Sequence, residues 1–363
     1  MTTQLFGQSK ETFATGLQGP QKISRTADGR FLVSEAGAGT NQGRVSMISA
    51  TGMVTALIEG LPAGEDAQGD ISGATGATLY GSTIYVLTGE GSGQRSIEGV
   101  SLPNPDGAAS PLHSALLAFE LDTPFEQVMS GFTLTLEDHW RLADGFPIEL
   151  TNADGVTATV HVVTDFPDTM PDANIPYRFS NPFGITMSPE HEGVAFITDA
   201  SVDALVRVDL ETGRSQRMVR FPKIPNEAPF GPPVSDYVPT SAVPYAGGLL
   251  VSNLAGFPFS AGTAAVRYVD LESGESHVFI ANLSSALDVA VVEGEAGPRF
   301  YTLEFSTAFL EGGPGRLMSY DTPEGQSVVD DLVTPTSMAV DPDTGDIYIT
   351  ELATGMVVRV TPN

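Results

Sequence analysis

Hydrophobic and polar positions alternate in short runs along nearly the whole chain, and residues 334–363 show the pattern most clearly. Pro335-Thr-Ser-Met-Ala-Val340 leads through the turn Asp341-Pro-Asp-Thr-Gly345 into Asp346-Ile-Tyr-Ile-Thr-Glu351, and then into Gly355-Met-Val-Val-Arg-Val-Thr361. Short runs rich in β-branched residues, punctuated by Gly, Pro and Asp, predict strands of a meander. Six such units can be stacked at a spacing of about 50 residues, the signature of a repeat architecture. Their second strands lie at 31–35, 83–88, 194–199, 249–253, 300–304 and 347–351. First strands begin near Pro20, Gly76, Pro182, Pro239, Ala286 and Pro335, and third strands end near Ile48, Leu121, Leu210, Asp270, Tyr320 and Thr361. Fourth strands follow at 53–58, 215–221, 276–280 and 327–329, but the last unit stops after its third. Lys10-Glu-Thr-Phe-Ala14, at the other end of the chain, is the natural donor of the missing strand. A last blade completed by the first strand closes a circular sheet array without open edges. The expectation is an all-β, six-bladed β-propeller closed by its N-terminal strand, with residues 1–363 as one domain.

The second unit breaks the period. A Gly/Pro/Ser-rich loop occupies 89–114, and a longer insertion covers 122–180. Within it, Leu136-Glu-Asp-His-Trp-Arg-Leu142 predicts a short helix, and 148–163 a hairpin turning at Asn152-Ala-Asp-Gly155. Long insertions on a rigid repeat scaffold sit at a rim and commonly carry function. On that reading, residues 144–165 are dispensable for folding.

Composition narrows the partners. The chain of 363 residues carries 45 acids against 17 Lys and Arg, a net charge of −28. Such a field repels nucleic acid and anionic lipid, which excludes both as partners. There is no cysteine, so disulfides, thiol catalysis and Cys-ligated zinc are excluded. No run of about 20 apolar residues predicts membrane insertion. Met1 leads into polar sequence without a signal peptide, so the protein is either cytoplasmic or exported with its leader already removed.

Three motifs resemble one family. Gly16-Leu17-x-x-Pro20 with Asp28-Gly29-x-Phe31-Leu-Val-Ser-Glu35-Ala-Gly37 is similar to the opening unit of the ScyD/ScyE family of β-propeller proteins, named for the scytonemin pigment pathway of cyanobacteria. Ser180-Asn-Pro-Phe-Gly-Ile185 resembles its middle motif. Val238-Pro-Thr-Ser241 followed by Asn253-Leu-Ala-Gly-Phe-Pro-Phe259 is the most specific match. The resemblance covers nearly the whole chain except the hairpin at 148–163. It departs at Gly73-Ala-Thr-Gly-Ala77, where the family has Pro-His after the glycine and Ala77-Thr78 stand here. It implies a propeller of the NHL and gluconolactonase kind and an extracytoplasmic, periplasmic or secreted location, without implying a reaction.

Candidate chemistry lies at the ends of the second strands. Glu35, Asp199, Asn253, Glu304 and Glu351 end five of them in register, with Gly89-Glu90 in the remaining unit. At one height in a propeller, these oxygens could converge on the axis as a calcium site, which needs six to eight oxygens at roughly 2.3–2.6 Å. Alternatively, each side chain caps a turn of its own blade. Left without a cation, acids crowded on one axis would repel by several kcal/mol. The five histidines share no metal-ligand spacing, and no Gly-x-Ser-x-Gly elbow is present. Two functional readings stay open. One is a binding or scaffold propeller that recognises a small molecule or a protein at the channel mouth, through Asn181, His139-Trp140-Arg141 and Phe257 with Phe259. The other is a calcium-dependent hydrolase of small cyclic or ester substrates, with Asp199 as base and Glu304 among the catalytic and metal-binding acids.

Overall fold

The structure, a computed structural model, describes residues 9–97, 100–168, 179–294, 297–322 and 324–362. Six sheets are arranged as the blades of a propeller, antiparallel throughout except for Phe132–Thr133, which pairs in parallel at the edge of blade 1. Their innermost strands are Pro20–Arg25, Ala74–Tyr80, Pro182–Met187, Pro239–Tyr245, Ala286–Val292 and Pro335–Val340. Each packs against the next, and the sixth packs against the first, so the ring closes around a central channel. Blade 6 takes its outer strand from Ser9–Thr15, which pairs antiparallel with Met356–Thr361. Phe13 carries this joint into the core, meeting Tyr348 at 4.7 Å and Phe31 at 5.9 Å between ring centroids. No helix of the described residues is long and apolar enough to cross a membrane.

Every blade begins with the same irregularity. The first strand bulges one residue after its start, between Pro20 and Lys22, Ala74 and Gly76, Pro182 and Gly184, Pro239 and Ser241, Ala286 and Asp288, and Pro335 and Ser337. A bulge bends the strand and frees the skipped residue from the ladder. In blades 2, 4 and 6 that residue is a threonine whose Oγ1 donates to the first carbonyl of the next blade. Thr75 reaches Pro182 O at 2.6 Å, Thr240 reaches Ala286 O at 2.9 Å, and Thr336 reaches Pro20 O at 2.9 Å. These are buried, neutral hydrogen bonds worth about 1 kcal/mol each. They tie blade to blade beside the channel, where no ladder bond can.

Insertion 122–180 proves to be structural in its central part. Thr157–Asp165 pairs with Ala115–Leu121 as the fourth strand of blade 2, and Ile148–Thr151 adds a fifth. Ile148, Val156, Ala158 and Val160 are buried in the same cluster as Leu117, Phe119 and Phe132. The hairpin expected from Asn152-Ala-Asp-Gly155 forms, but it is blade, not dispensable rim. The reason is countable: among the described residues, blade 2 has no other segment for its outer strand. Helix Leu136–Ala143 also forms, capped by Thr135, whose Oγ1 accepts the N–H of Asp138 at 3.2 Å.

Deleting residues 1–15 or 144–165 therefore removes an outer strand and buried aromatic or aliphatic side chains from a blade. Both truncated proteins are expected to aggregate or to lose more than about 3 kcal/mol, the scale set by truncating one buried Phe. Thermal melts of the two deletions alongside the full chain check this, and an unchanged melting temperature in either refutes that strand's role.

Candidate functional site

The in-register acids are where the sequence puts them, at the ends of the second strands, but their oxygens are already engaged. Glu35 pairs with Arg44 at 2.8 Å, accepts from Ser46 Oγ at 2.5 Å, and takes the backbone N–H of Gln18. Asp199 accepts from Ser180 Oγ and from Asn181 N, at 2.5 and 2.9 Å. Glu304 accepts from Ser284 N at 3.1 Å and pairs with Arg316. Glu351 accepts from Val333 N at 2.9 Å and from Thr354 Oγ1 at 3.1 Å. Each carboxylate thus clasps the loop that delivers the chain into its own blade's first strand. These four side chains are buried, and Asp199 is held above the usual carboxylate range by burial.

Asn253 does the same work with a different donor set. Its Nδ2 donates to Tyr237 O at 2.9 Å, and its Oδ1 accepts from Ala265 N at 2.7 Å. The amides of Tyr237 and Val238 turn instead to Asp203 Oδ1, at 2.8 and 3.1 Å. This grip holds Val238 at φ 55°, a region a β-branched residue avoids. The five side chains do not fit a calcium site. Each spends its oxygens within one blade, and among the described residues no group of three or more His, Cys, Asp or Glu is placed to hold a metal ion. The turn-capping alternative is the one realised. The same burial leaves neither Asp199 nor Glu304 open to a substrate.

Blade 2 departs from this rule, and the departure builds a cavity. Thr88 stands at the clasp position, opposite Ala74, and Thr88 Oγ1 binds Leu112 O at 2.6 Å. The acid of this blade, Glu90, comes two residues later. It lines a cavity of about 580 Å³ at the channel mouth, with Asp66 and Asp70 from the loop before blade 2, Thr75 on its first strand, and Asn181 and Phe183 of blade 3. Glu90 is 8% exposed and receives a hydrogen bond from Gln94. Burial pushes its carboxyl up to about 8, the charges of Asp66 and Asp199 push the same way, and the Gln94 bond opposes them. The surroundings of Glu90 therefore favour the protonated form near neutral pH. Asn181 has its backbone clamped by Asp199, while its side-chain Oδ1 is buried and has no partner.

Two glycines make this mouth sterically feasible. A Cβ on Gly89 would lie 2.8 Å from Ser72 Oγ and 3.1 Å from Asn181 Oδ1. A Cβ on Gly91, at φ +50°, would lie 2.1 Å from the His113 ring. His113 packs beneath the Glu90 loop, 3% exposed, with both ring nitrogens unpartnered. Burial lowers its pKa to about 4, so it is a neutral buttress.

The remaining predicted binding residues do not gather into one wall. His139 is fully buried, with Nδ1 at 3.0 Å from Ser110 Oγ and Nε2 at 2.8 Å from Gly60 O. It pins the insertion helix to blade 1. Trp140, 54% exposed, and the exposed Arg141 leave the helix in other directions, since successive helical residues diverge by about 100°. Phe259 stacks on Phe309 at 4.2 Å, whereas Phe257 is 48% exposed and meets Phe230 and Phe259 at 6.1 Å. These are rim contacts. Of the predicted ligand-binding residues, only Asn181 lines the mouth cavity. Glu90 stands beside the in-register acids as the counterpart in the second unit but is not read from sequence as a binding residue, and Asp66 and Thr75 were missed.

No family model matches the chain, and no curated protein matches it. Among solved structures, the chain is similar to an auxiliary nutrient binding protein from Bacteroides thetaiotaomicron, with a TM-score of 0.55 and 9% identity over 98% of this chain and 77% of that one. A structural genomics protein of unknown function from the same organism gives 0.53 and 10% over 98% and 76%. A glucose dehydrogenase gives 0.50 and 12% over 98% and 100%. At these identities the likeness is one of fold, and it places the chain in the six-bladed propeller superfold.

Glu304→Gln keeps the shape of the side chain but weakens its bonds to Arg316 and Ser284. Melting should show a loss of about 2 kcal/mol, the range for hydrogen bonds to charged groups. The loss should be the same with and without a chelator, and a chelator-dependent difference would reinstate a metal at this ring. Glu90 gives a pH signature. Its folded pKa of about 8 lies above the ordinary 4.5, so its contribution to stability is fully present below about 4.5 and is lost as pH rises through 8. Glu90→Gln should therefore melt increasingly above the parent as pH is raised from 5 to about 8, and parallel curves across that window would exclude a buried neutral Glu90.

Proposed function

We propose that this protein is a small-molecule-binding β-propeller whose ligand is held at the channel mouth between Glu90 and Asn181. The observation that carries this reading is the buried Asn181 Oδ1, an acceptor without a partner on a residue that lines the cavity. A cavity of about 580 Å³ is within the range of small-molecule sites. A protonated Glu90 supplies a donor and Asn181 an acceptor, and a hydroxyl group answers both at once. Asp66, Asp70 and the net charge of −28 disfavour anions, so the ligand class is a neutral, hydroxyl-bearing molecule. The fold neighbours include both a nutrient binding protein and a dehydrogenase, so the fold does not choose between binding and catalysis. The resemblance to the ScyD/ScyE family supports a propeller of that type and an extracytoplasmic setting.

Catalysis has one observation in its favour. A carboxyl that keeps its proton near neutral pH, beside a second acid, can serve as a general acid on an ester or lactone. That role falls to Glu90 and Asp66, in place of the Asp199 and Glu304 expected from sequence.

Thermal shift against a panel of neutral sugars and polyols, with the matching uronic acids as controls, tests the binding reading. A neutral compound should raise the melting temperature, by the equivalent of about 2.7 kcal/mol at a hundredfold excess over Kd. The uronates should not, and Asn181→Ala should abolish the shift. An equal shift in Asn181→Ala places the ligand elsewhere and overturns the site.

A further inference from the structure

The six bulges have a second consequence, at the opposite end of the channel. The residue after each bulge stands at one level around the lumen: Lys22, Gly76, Gly184, Ser241, Asp288 and Ser337. All six line a second cavity of about 470 Å³, bounded by the far halves of the first strands. The belt thus presents one amine and one carboxylate among four small residues. Lys22 is one of only three lysines in the chain.

Its surroundings hold the amine in place without neutralising it fully. Lys22 is 8% exposed, and its Nζ donates to Leu287 O at 3.0 Å. Asp288 Oδ2 is 4.0 Å away, too far for a hydrogen bond. That carboxylate is already served by Ser337 Oγ at 2.6 Å, Met338 N at 2.9 Å and Val289 N at 2.9 Å. It does not depend on the lysine. The Phe183 ring, 5.3 Å from Nζ, closes the side toward the mouth.

We propose that Lys22 is a carbonyl-capturing amine, taking a small, uncharged aldehyde or ketone from the lower channel as an imine. In this step the unprotonated Nζ attacks the carbonyl carbon and forms the C–N bond. The carbonyl oxygen then leaves as water, with both hydrogens supplied by the amine. Asp288, 4.0 Å from the resting Nζ, is the nearest carboxylate and can carry the proton to the departing oxygen once the attacking nitrogen moves toward it. Gly76 and Gly184 put no side chain into the lumen, where a Cβ would in any case meet the neighbouring strands, and Ser241 adds a hydroxyl to the opposite wall.

Burial favours the reactive form. It lowers the Lys22 pKa, against the opposing pull of the Asp288 charge, and a desolvated lysine is the usual source of a nucleophilic amine near neutral pH. The site is separate from the mouth cavity, and its test does not depend on what binds there.

The experiment is reductive trapping of the full chain with pyridoxal and sodium cyanoborohydride at pH 7, read by peptide mass mapping of all three lysines. The expected result is an adduct on Lys22 in excess of those on Lys10 and Lys223, and its loss in Lys22→Met, which retains the apolar stem. Ser241→Phe, which fills the lumen but keeps the amine, should also lose the adduct while melting as a folded protein. Labelling of Lys10 or Lys223 with Lys22 untouched would overturn the proposal and leave Lys22 as a structural plug. Equal labelling of Lys22 in Ser241→Phe would also overturn it, because the carbonyl would then not arrive through the lower cavity.

Discussion

The bulge at the head of each first strand is the constraint on which the rest of this propeller depends. A straight inner strand would pair along its whole length and offer nothing sideways to the next blade. The bulge releases one residue from the ladder, and in alternate blades that residue is a threonine reaching the neighbouring blade's first carbonyl. It also sets the facing of everything downstream, because a one-residue shift exchanges the two faces of a strand. Closure, channel lining and loop position all follow from it.

The clasps complete this arrangement. In all six blades the residue after the clasp position donates its N–H to the carbonyl just ahead of the first strand, as Ala36 does to Gly19 and Phe305 to Ser285, both within 2.9 Å. In four blades a carboxylate closes the same loop from the other side. This explains why a strongly acidic protein tolerates acids at one height around its axis. They point along their own blades, toward backbone amides, serine or threonine hydroxyls and two arginines, and not at one another. Where Asn253 replaces the acid, Asp203, joined to Lys223, supplies the missing acceptor.

Function enters where the repeat fails. Blade 2 spends a threonine at the clasp and sends its acid two residues on, into the mouth, above a histidine with no hydrogen-bond partner. The same blade carries the insertion, whose buried side chains join one hydrophobic cluster with blade 1. A regular scaffold of five clasped blades holds one irregular blade in place, and the polar groups left unsatisfied there are those a ligand can meet.

By itself, the sequence determined the blade count, the strand order and the N-terminal closure. Each of these depends on local periodicity and turn chemistry, and both survive in a single chain read without its neighbours. It also showed Glu35, Asp199, Asn253, Glu304 and Glu351 to be equivalent, because register is a property of spacing. Tertiary structure alone decided which way those side chains face, since that depends on a bulge whose position no residue type announces. It likewise decided that residues 148–165 are blade and that His139 is a pin, because burial is a property of packing. The mouth cavity was the least legible feature. Asp66, Thr75 and Glu90 lie on three separate segments of one stretch and Asn181 opens the next blade, so only the packing of blade 3 against blade 2 brings them to one wall.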